Sequence, residues 1–281
     1  MLYFILVLVL AALSLYFYSE THTLSVSFYD IDGDDLPEEF DGFRIIHVSD
    51  LHNTRNKALI RQMDDLLTAQ KCDMIAFTGD LVDSRQTDWN QAKVLSDVLK
   101  KAAPVYFVTG NHEERLLAKE SDAQEKLNDM GMIMLTNRVE YIKRNGQRLQ
   151  LAGVDDPRRS GRSTGSLPNE FILTELDELP LEKGLFTVLL SHRPEYLDRY
   201  AERGYDLVLA GHAHGAQFIL PGIGGVYAPN QGLFPKLYKG LHVKGKTRLI
   251  ISRGLGGKEF PIRINNKPEI AVITLKKNTQ Q

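Results

Sequence analysis

Five short polar segments, each placed directly after a run of apolar, β-branched or aromatic residues, constrain this chain more than any other feature. Asp50-Leu51-His52 follows residues 44–49, Gly79-Asp80 follows 74–78, and Asn111-His112 follows 105–109. Ser191-His192 follows 187–190, and Gly211-His212-Ala213-His214 follows 207–210. The apolar runs read as buried strands. Helical patterns over 55–70 and 90–101 separate the first three, so this half reads strand–helix–strand and implies a parallel sheet with crossover helices. Open α/β sheets hold ligands beyond the carboxyl ends of their strands, and all five polar segments fall at such ends.

A further helix is expected over 114–130. Beyond it short strands dominate, at 132–135, 138–143, 149–154, 187–190 and 207–210, then at 217–220, 248–252 and 270–275. Two mixed sheets packed face to face, with helices outside, accommodate both halves in one α/β domain over residues 43–281. With 43% hydrophobic residues, 281 residues suffice for such a core. Residues 21–42 read as a tether leading into an edge strand at 24–29, followed by a turn rich in Gly, Asp and Pro.

Residues 2–18, LYFILVLVLAALSLYFY, carry no charge. Seventeen residues are at the short end of a bilayer span, and aromatic side chains at both ends suit its interfaces. A cleaved signal peptide is the competing reading, but the segment has no basic n-region and no small-x-small cleavage site. An uncleaved membrane anchor over residues 1–20 is therefore expected. No Lys or Arg precedes Arg44 to set the orientation; the acidic stretch from Glu20 to Asp41 favours a catalytic part outside the cytoplasm.

The donor chemistry of the five segments points to metal. In an extended segment residues i and i+2 point the same way, so Asp50 and His52 can share a cation, and His212 and His214 a site. Glycines at 79, 110 and 211 allow sharp turns and close approach to an anion. Carboxylate or amide oxygens mixed with imidazoles suit Mn, Fe or Zn better than Ca or Mg. Asp50, His52, Asp80, Asn111, His192, His212 and His214 are too many for one ion that must also bind water. Two divalent cations about 3.5–4 Å apart, bridged by a carboxylate, resolve the surplus.

DLH, GDLVD, GNHE, a lone His192 and GHAHG, in that order, resemble the motif series of the calcineurin-like metallophosphoesterases, from about residue 43 to the C-terminus. The apolar N-terminal segment and the stretches PNQGLFPKLYKGL (229–241) and ISRGLGG (251–257) resemble its membrane-anchored bacterial branch. One relative in that branch acts on UDP-2,3-diacylglucosamine, a lipid pyrophosphate. The resemblance implies a four-layer α/β/β/α sandwich, the metallo-dependent phosphatase fold. It implies Asp50, His52 and His214 on one metal, Asn111, His192 and His212 on the other, and Asp80 bridging. It implies His112 as proton donor rather than ligand. The implied reaction is hydrolysis of phosphate esters or pyrophosphates, of small molecules or lipids, by a water shared between the cations. A general or nucleotide phosphodiesterase without lipid preference is the alternative, and a non-catalytic membrane-anchored scaffold is the alternative of a different class.

Neighbouring residues have plainer expectations. His47, three residues before Asp50, reads as a core histidine, and Asp83 as a turn cap or a support for the site. Glu113 reads as a helix start, Trp89 as packing and Cys72 as a small core residue. Arg253 with Gly254-Leu255-Gly256-Gly257 reads equally as a phosphate contact or a turn. Loop 156–169 reads as a solvated excursion or as a basic flap carrying Arg158, Arg159 and Arg162. Leu233, Phe234 and Leu237 read as core or as lipid contacts. A net charge of −2 leaves no basic excess for phosphate backbones, so no nucleic-acid partner is expected.

Overall fold

In the computed structural model, which describes residues 1–157, 168–257 and 262–278, two mixed six-stranded sheets form the centre of the protein. The first contains β1 (Ser25–Gly33), β2 (Arg44–Val48), β3 (Met74–Phe77), β4 (Val105–Phe107), β5 (Ile133–Met134) and β16 (Glu269–Lys277), in the order β1-β16-β2-β3-β4-β5. The second contains β6 (Arg138–Arg144), β7 (Gln147–Val154), β8 (Thr187–Ser191), β9 (Leu207–Ala210), β14 (Gly240–Lys244) and β15 (Thr247–Ile251), in the order β14-β15-β9-β8-β7-β6. β2, β3, β4 and β5 run parallel, as do β7, β8, β9 and β15.

The period of two within the strands builds the layers. Ile45, Met74 and Ala76 enter the core between the sheets, where they meet Leu151, Val188, Leu190 and Leu209 of the second sheet. Their neighbours Ile46, Ile75 and Phe77 face the other way, onto α2 (Lys57–Ala69), α3 (Trp89–Lys100) and α5 (Ala123–Asp129). On the far side Leu189, Val208 and Leu249 pack on α6 (Pro168–Glu178) and α7 (Leu197–Arg203). The four-layer α/β/β/α arrangement follows.

Several elements differ from the sequence reading. The helix expected over 114–130 is two helices, α4 (Asn111–Leu117) and α5, parted at Ser121 and Asp122, residue types that favour helix breaks. The strand expected at 217–220 lies outside both large sheets: among the described strands β10 (Ile219–Leu220) pairs with β11 (Gly224–Gly225), and β12 (Tyr227–Ala228) with β13 (Gly232–Leu233). Edge strand β14 and the short helix α7, closed by Gly204 at φ 76°, carry too little periodicity to be read in advance. Arg158, Arg159 and Arg162 lie outside the described residues.

α1 (Leu2–His22) is 21 residues long, about the length that crosses a bilayer core. It is long and apolar enough to cross a membrane, and its apolar stretch is not buried. Only Thr23 and Leu24 separate it from β1, and its last turn is bound to the rest of the chain. Glu20 is buried and accepts from Asn266 N at 2.7 Å, Gln62 Nε2 donates to His22 O at 2.8 Å, and Tyr16 Oη donates to Asn265 Oδ1 at 2.9 Å.

Candidate metal centre

The seven expected ligands and His112 converge at the carboxyl ends of β2, β3, β4, β8 and β9, and all are buried. The chain delivers them by leaving the strand abruptly. Asp50, His52, Asp80, His212 and His214 all have positive φ, between 45° and 66°. Asp and His tolerate this left-handed conformation better than bulkier residues, and its clustering marks a strained functional site. Asp50 and His52 therefore share a cluster through turn geometry, not through the strand alternation expected from sequence. His212 and His214, two apart, enter different clusters.

One cluster holds Asp50, His52, Asp80 and His214; a second holds Asp80, His192 and His212. His214 Nε2 lies 3.0 Å from Asp50 Oδ1, and His52 Nε2 lies 3.2 Å from His214 Nε2. Asp80 Oδ2 faces His52 Nε2 at 3.5 Å and His192 Nε2 at 3.3 Å, so it stands between the clusters. Donors around one cation at 2.0–2.2 Å are about 3–4.4 Å apart, which these separations match. Asp80 Oδ2 is buried without a well-formed hydrogen bond. The Asn111 carboxamide stands 2.9 Å from His212 Nδ1, which is itself 3.1 Å from His192 Nε2. A cation among these lone pairs satisfies them together, and the residues fit a two-cation site.

Electrostatics of the metal-free cluster agree. Burial alone lowers an imidazole, and at His52 burial wins, taking it to about 3. At His192 burial is overcome by the carboxylates of Asp80 and Asp50, and the ring is raised to about 10. Burial also opposes charge on Asp80, yet the surrounding rings, His192 first, hold its carboxyl well below the usual range. His192 Nδ1 donates to Thr78 O at 2.7 Å, which leaves Nε2 for the cluster.

Beside the clusters, His112 Nδ1 lies 3.2 Å from Asp83 Oδ1 and accepts from Ser84 N at 2.9 Å. Its ring meets that of His52 edge-on, with centroids 4.6 Å apart. Nδ1 thus has an acceptor for its proton when the ring is charged and a donor when it is neutral. Asp83 supports the site, as its position after Asp80 suggests.

Sequence reasoning undervalued Glu113. Its carboxylate accepts from Gly110 N at 2.8 Å, Asp80 N at 2.8 Å and Val82 N at 3.0 Å, clamping the Asp80 loop to the Asn111 loop. Gly110 permits this contact, since a Cβ there would stand 2.6 Å from Asp80 N. Arg193 was not foreseen: it is buried beside His212, with Nη1 3.0 Å from His212 Nε2 and Nη2 3.0 Å from Asp156 Oδ1. Its signal was its place directly after His192. Asn266 was also missed; its Nδ2 donates to His214 O at 2.8 Å, so Glu20 of α1 supports a cluster residue through one intermediary.

Other residues have structural work. His47 is buried on Thr78 Oγ1 at 2.8 Å, and Trp89 Nε1 donates to Glu120 at 3.2 Å. Arg253 pairs with Glu269 at 3.1 Å, and the glycine turn after it donates from Gly256 N to Asp50 O at 2.6 Å, so this stretch holds the Asp50 loop. Cys72 is half-buried, and burial raises its thiol to about 11.

Two adjoining carboxylate–imidazole clusters that share an aspartate, at the strand ends of a two-sheet sandwich, define the class of metal-dependent hydrolases. The family model for calcineurin-like phosphoesterases matches residues 43–216. The chain belongs to that family and is a metal-dependent phosphoesterase, with phosphorylated substrates. It is 30% identical over 265 residues to YkuE, a metallophosphoesterase of Bacillus subtilis, covering 92% of this chain and 88% of that one. It is 27% identical to the phosphodiesterase YaeI of Escherichia coli, covering 83% and 82%. Among solved structures, the sulfate thiohydrolase SoxB of Thermus thermophilus shares the fold with TM-score 0.51 and 14% identity, over 84% of this chain and 57% of that one.

Proposed function

We propose that the chain is a membrane-anchored hydrolase of phosphate esters or pyrophosphates, with lipid-borne phosphates as its substrate class. Asp50, His52 and His214 hold one divalent cation, Asn111, His192 and His212 the other, and Asp80 serves both. The observation that carries this reading is Asp80 Oδ2, buried between His52 and His192. The imidazole-rich donor set favours Mn, Fe or Zn. When bound, the cations activate water and offset phosphoryl charge. His112 gives a proton to the departing oxygen, with Asp83 stabilising its charged ring, and Glu113 holds the two ligand loops in register. α1 tethers the catalytic part to the cell membrane, on the side away from the cytoplasm.

The Escherichia coli relative is a phosphodiesterase, which favours a second reading, a phosphodiesterase without lipid preference. A phosphate-release screen on the protein in detergent, with metal content measured beside it, separates the two. Equal rates on a lipid pyrophosphate and a water-soluble diester would sink the lipid reading. His112→Ala is expected to keep its metal and lose most turnover on unactivated esters, and full turnover removes the proton-donor role.

A further inference from the structure

We infer that the paired hairpins β10–β11 and β12–β13, with Ile262, form a seat that rests in the surface of the bilayer crossed by α1. Residues 216–235, AQFILPGIGGVYAPNQGLFP, contain no charged side chain. Of the ten large apolar residues exposed beyond α1 among the described residues, five lie here and Ile262 is a sixth in the seat: Ile262 at 41% and Leu220 at 37%, with Ile223, Tyr227, Leu233 and Phe234 each above half. An exposed apolar patch of this kind on an otherwise polar surface marks an interface.

Continuity with α1 identifies what covers it. Tyr16 lies near the end of the apolar run, at the level where a spanning helix leaves the hydrocarbon. Asn265 N donates to Tyr16 Oη at 3.1 Å, and Asn265 Nδ2 donates to Ile219 O at 2.9 Å. The hairpin is thus one residue removed from the boundary aromatic. The rest is bound to it: Ile219 N donates to Ile264 O, Val226 N to Phe218 O and Phe234 N to Val226 O, each at 2.9 Å. A rigid platform joined to a spanning helix at its exit point lies in the headgroup region, and exposed Lys236 at its edge suits anionic headgroups.

The seat also abuts the metal centre. Tyr227 and Asn230 line a cavity of about 510 Å³ together with Asn111, His112 and His212. The mouth of the site therefore faces lipid headgroups, which deepens the lipid-phosphate reading and rests on it for substrate class. The seat itself rests only on α1 being a span.

The test uses the full chain in phosphatidylcholine–phosphatidylglycerol vesicles, with Cys72→Ser and one fluorophore-labelled cysteine at Ile223, Phe234, Leu8 or Val243. Val243 pairs with Arg248, whose other partner Leu207 begins β9, so it sits at the strand end opposite the metal centre. Labels at 223 and 234 are expected to shift to the blue and to be quenched by nitroxides on the lipid chains, while the label at 243 is quenched by aqueous iodide. Labels at 223 and 234 that behave like 243 overturn the seat, as does shielding from both quenchers, which means a protein partner or second copy. A quenched Leu8 beside exposed 223 leaves the span standing and the seat refuted. In the activity arm, Ile223→Asp with Phe234→Asp lowers turnover of a bilayer-held phosphate roughly tenfold and leaves a soluble diester unchanged. If the parent hydrolyses neither, the substrate reading fails while the quenching result still decides the seat.

Discussion

Glu113→Gln tests whether the two ligand loops are held by a charged clamp. In the parent, one carboxylate oxygen takes two N–H groups, Asp80 N and Gly110 N, and the other takes Val82 N. Glutamine keeps one acceptor, so at least one buried N–H meets an NH₂ and the remaining bonds lose their charge. An unsatisfied buried donor costs about 1–3 kcal/mol, and bonds to a charged acceptor exceed neutral ones, so the total is roughly 2–4 kcal/mol. For a domain this large that is about 5–12 °C in Tm. Burial first, then the Asp80 carboxylate, raises Glu113 to about 7 in the metal-free protein, against the three N–H groups. Because the value is raised, the metal-free fold gains by protonation, and this gain is lost as pH rises through about 7. Below that pH the parent's own carboxyl presents an O–H to an N–H, so the gap between parent and variant narrows. Calorimetry across pH, with metal content by mass spectrometry, reads both effects. A variant that melts within about 2 °C of the parent at pH 8 and keeps its metal refutes the clamp.

Three further outcomes are expected. Asp80→Asn loses metal itself; two ions per chain by metal analysis would show that the bridging assignment is wrong. Asn266→Ala removes the support of His214 O, and should weaken one of the two cation affinities by about tenfold or more while sparing the other. Equal affinities by titration calorimetry would place Asn266 outside the site's support. At pH 8 the metal-free His192 ring carries a proton, since its value is raised to about 10, whereas His52, near 3, carries none. Cation binding at His192 Nε2 should then expel about one proton, and affinity should rise with pH until about 10; heats that do not depend on the buffer's ionisation enthalpy contradict this.

The layers were legible in the sequence because strands such as those holding Ile45-Ile46 and Met74-Ile75-Ala76-Phe77 are apolar on both faces, as parallel strands between helices must be. The ligand set was legible because each member follows such a strand. What sequence could not carry was long-range. Asn266 supports His214 O from 52 residues away, and Glu113 reaches back to the Asp80 loop. Neither leaves a local pattern. The hairpins of 219–233 were illegible as a sheet because two-residue strands have no period, and their outward apolar side chains mimic core.

The left-handed backbone at Asp50, His52, Asp80, His212 and His214 decides how the centre is built. Each such residue costs on the order of 1 kcal/mol or more, and bonds among the five segments, such as His112 N to Asp80 Oδ1 and His52 N to Asp80 O, each at 2.9 Å, offset part of that sum. A further offset comes from bonds that reach across the fold. Glu113 fastens the Asp80 loop, Gly256 N the Asp50 carbonyl, and Asn266 the His214 carbonyl. Arg263, itself buried, fastens the glycine turn through Gly254 O at 3.2 Å and Gly256 O at 2.7 Å. Asn266 in turn is held by Glu20, the one acidic residue of α1. The donor geometry is therefore imposed by protein, and part of that shaping force comes from α1 through Glu20. A chain cut between α1 and β1 loses Glu20 and Tyr16 together, so α1 is a component of the candidate metal centre's framework.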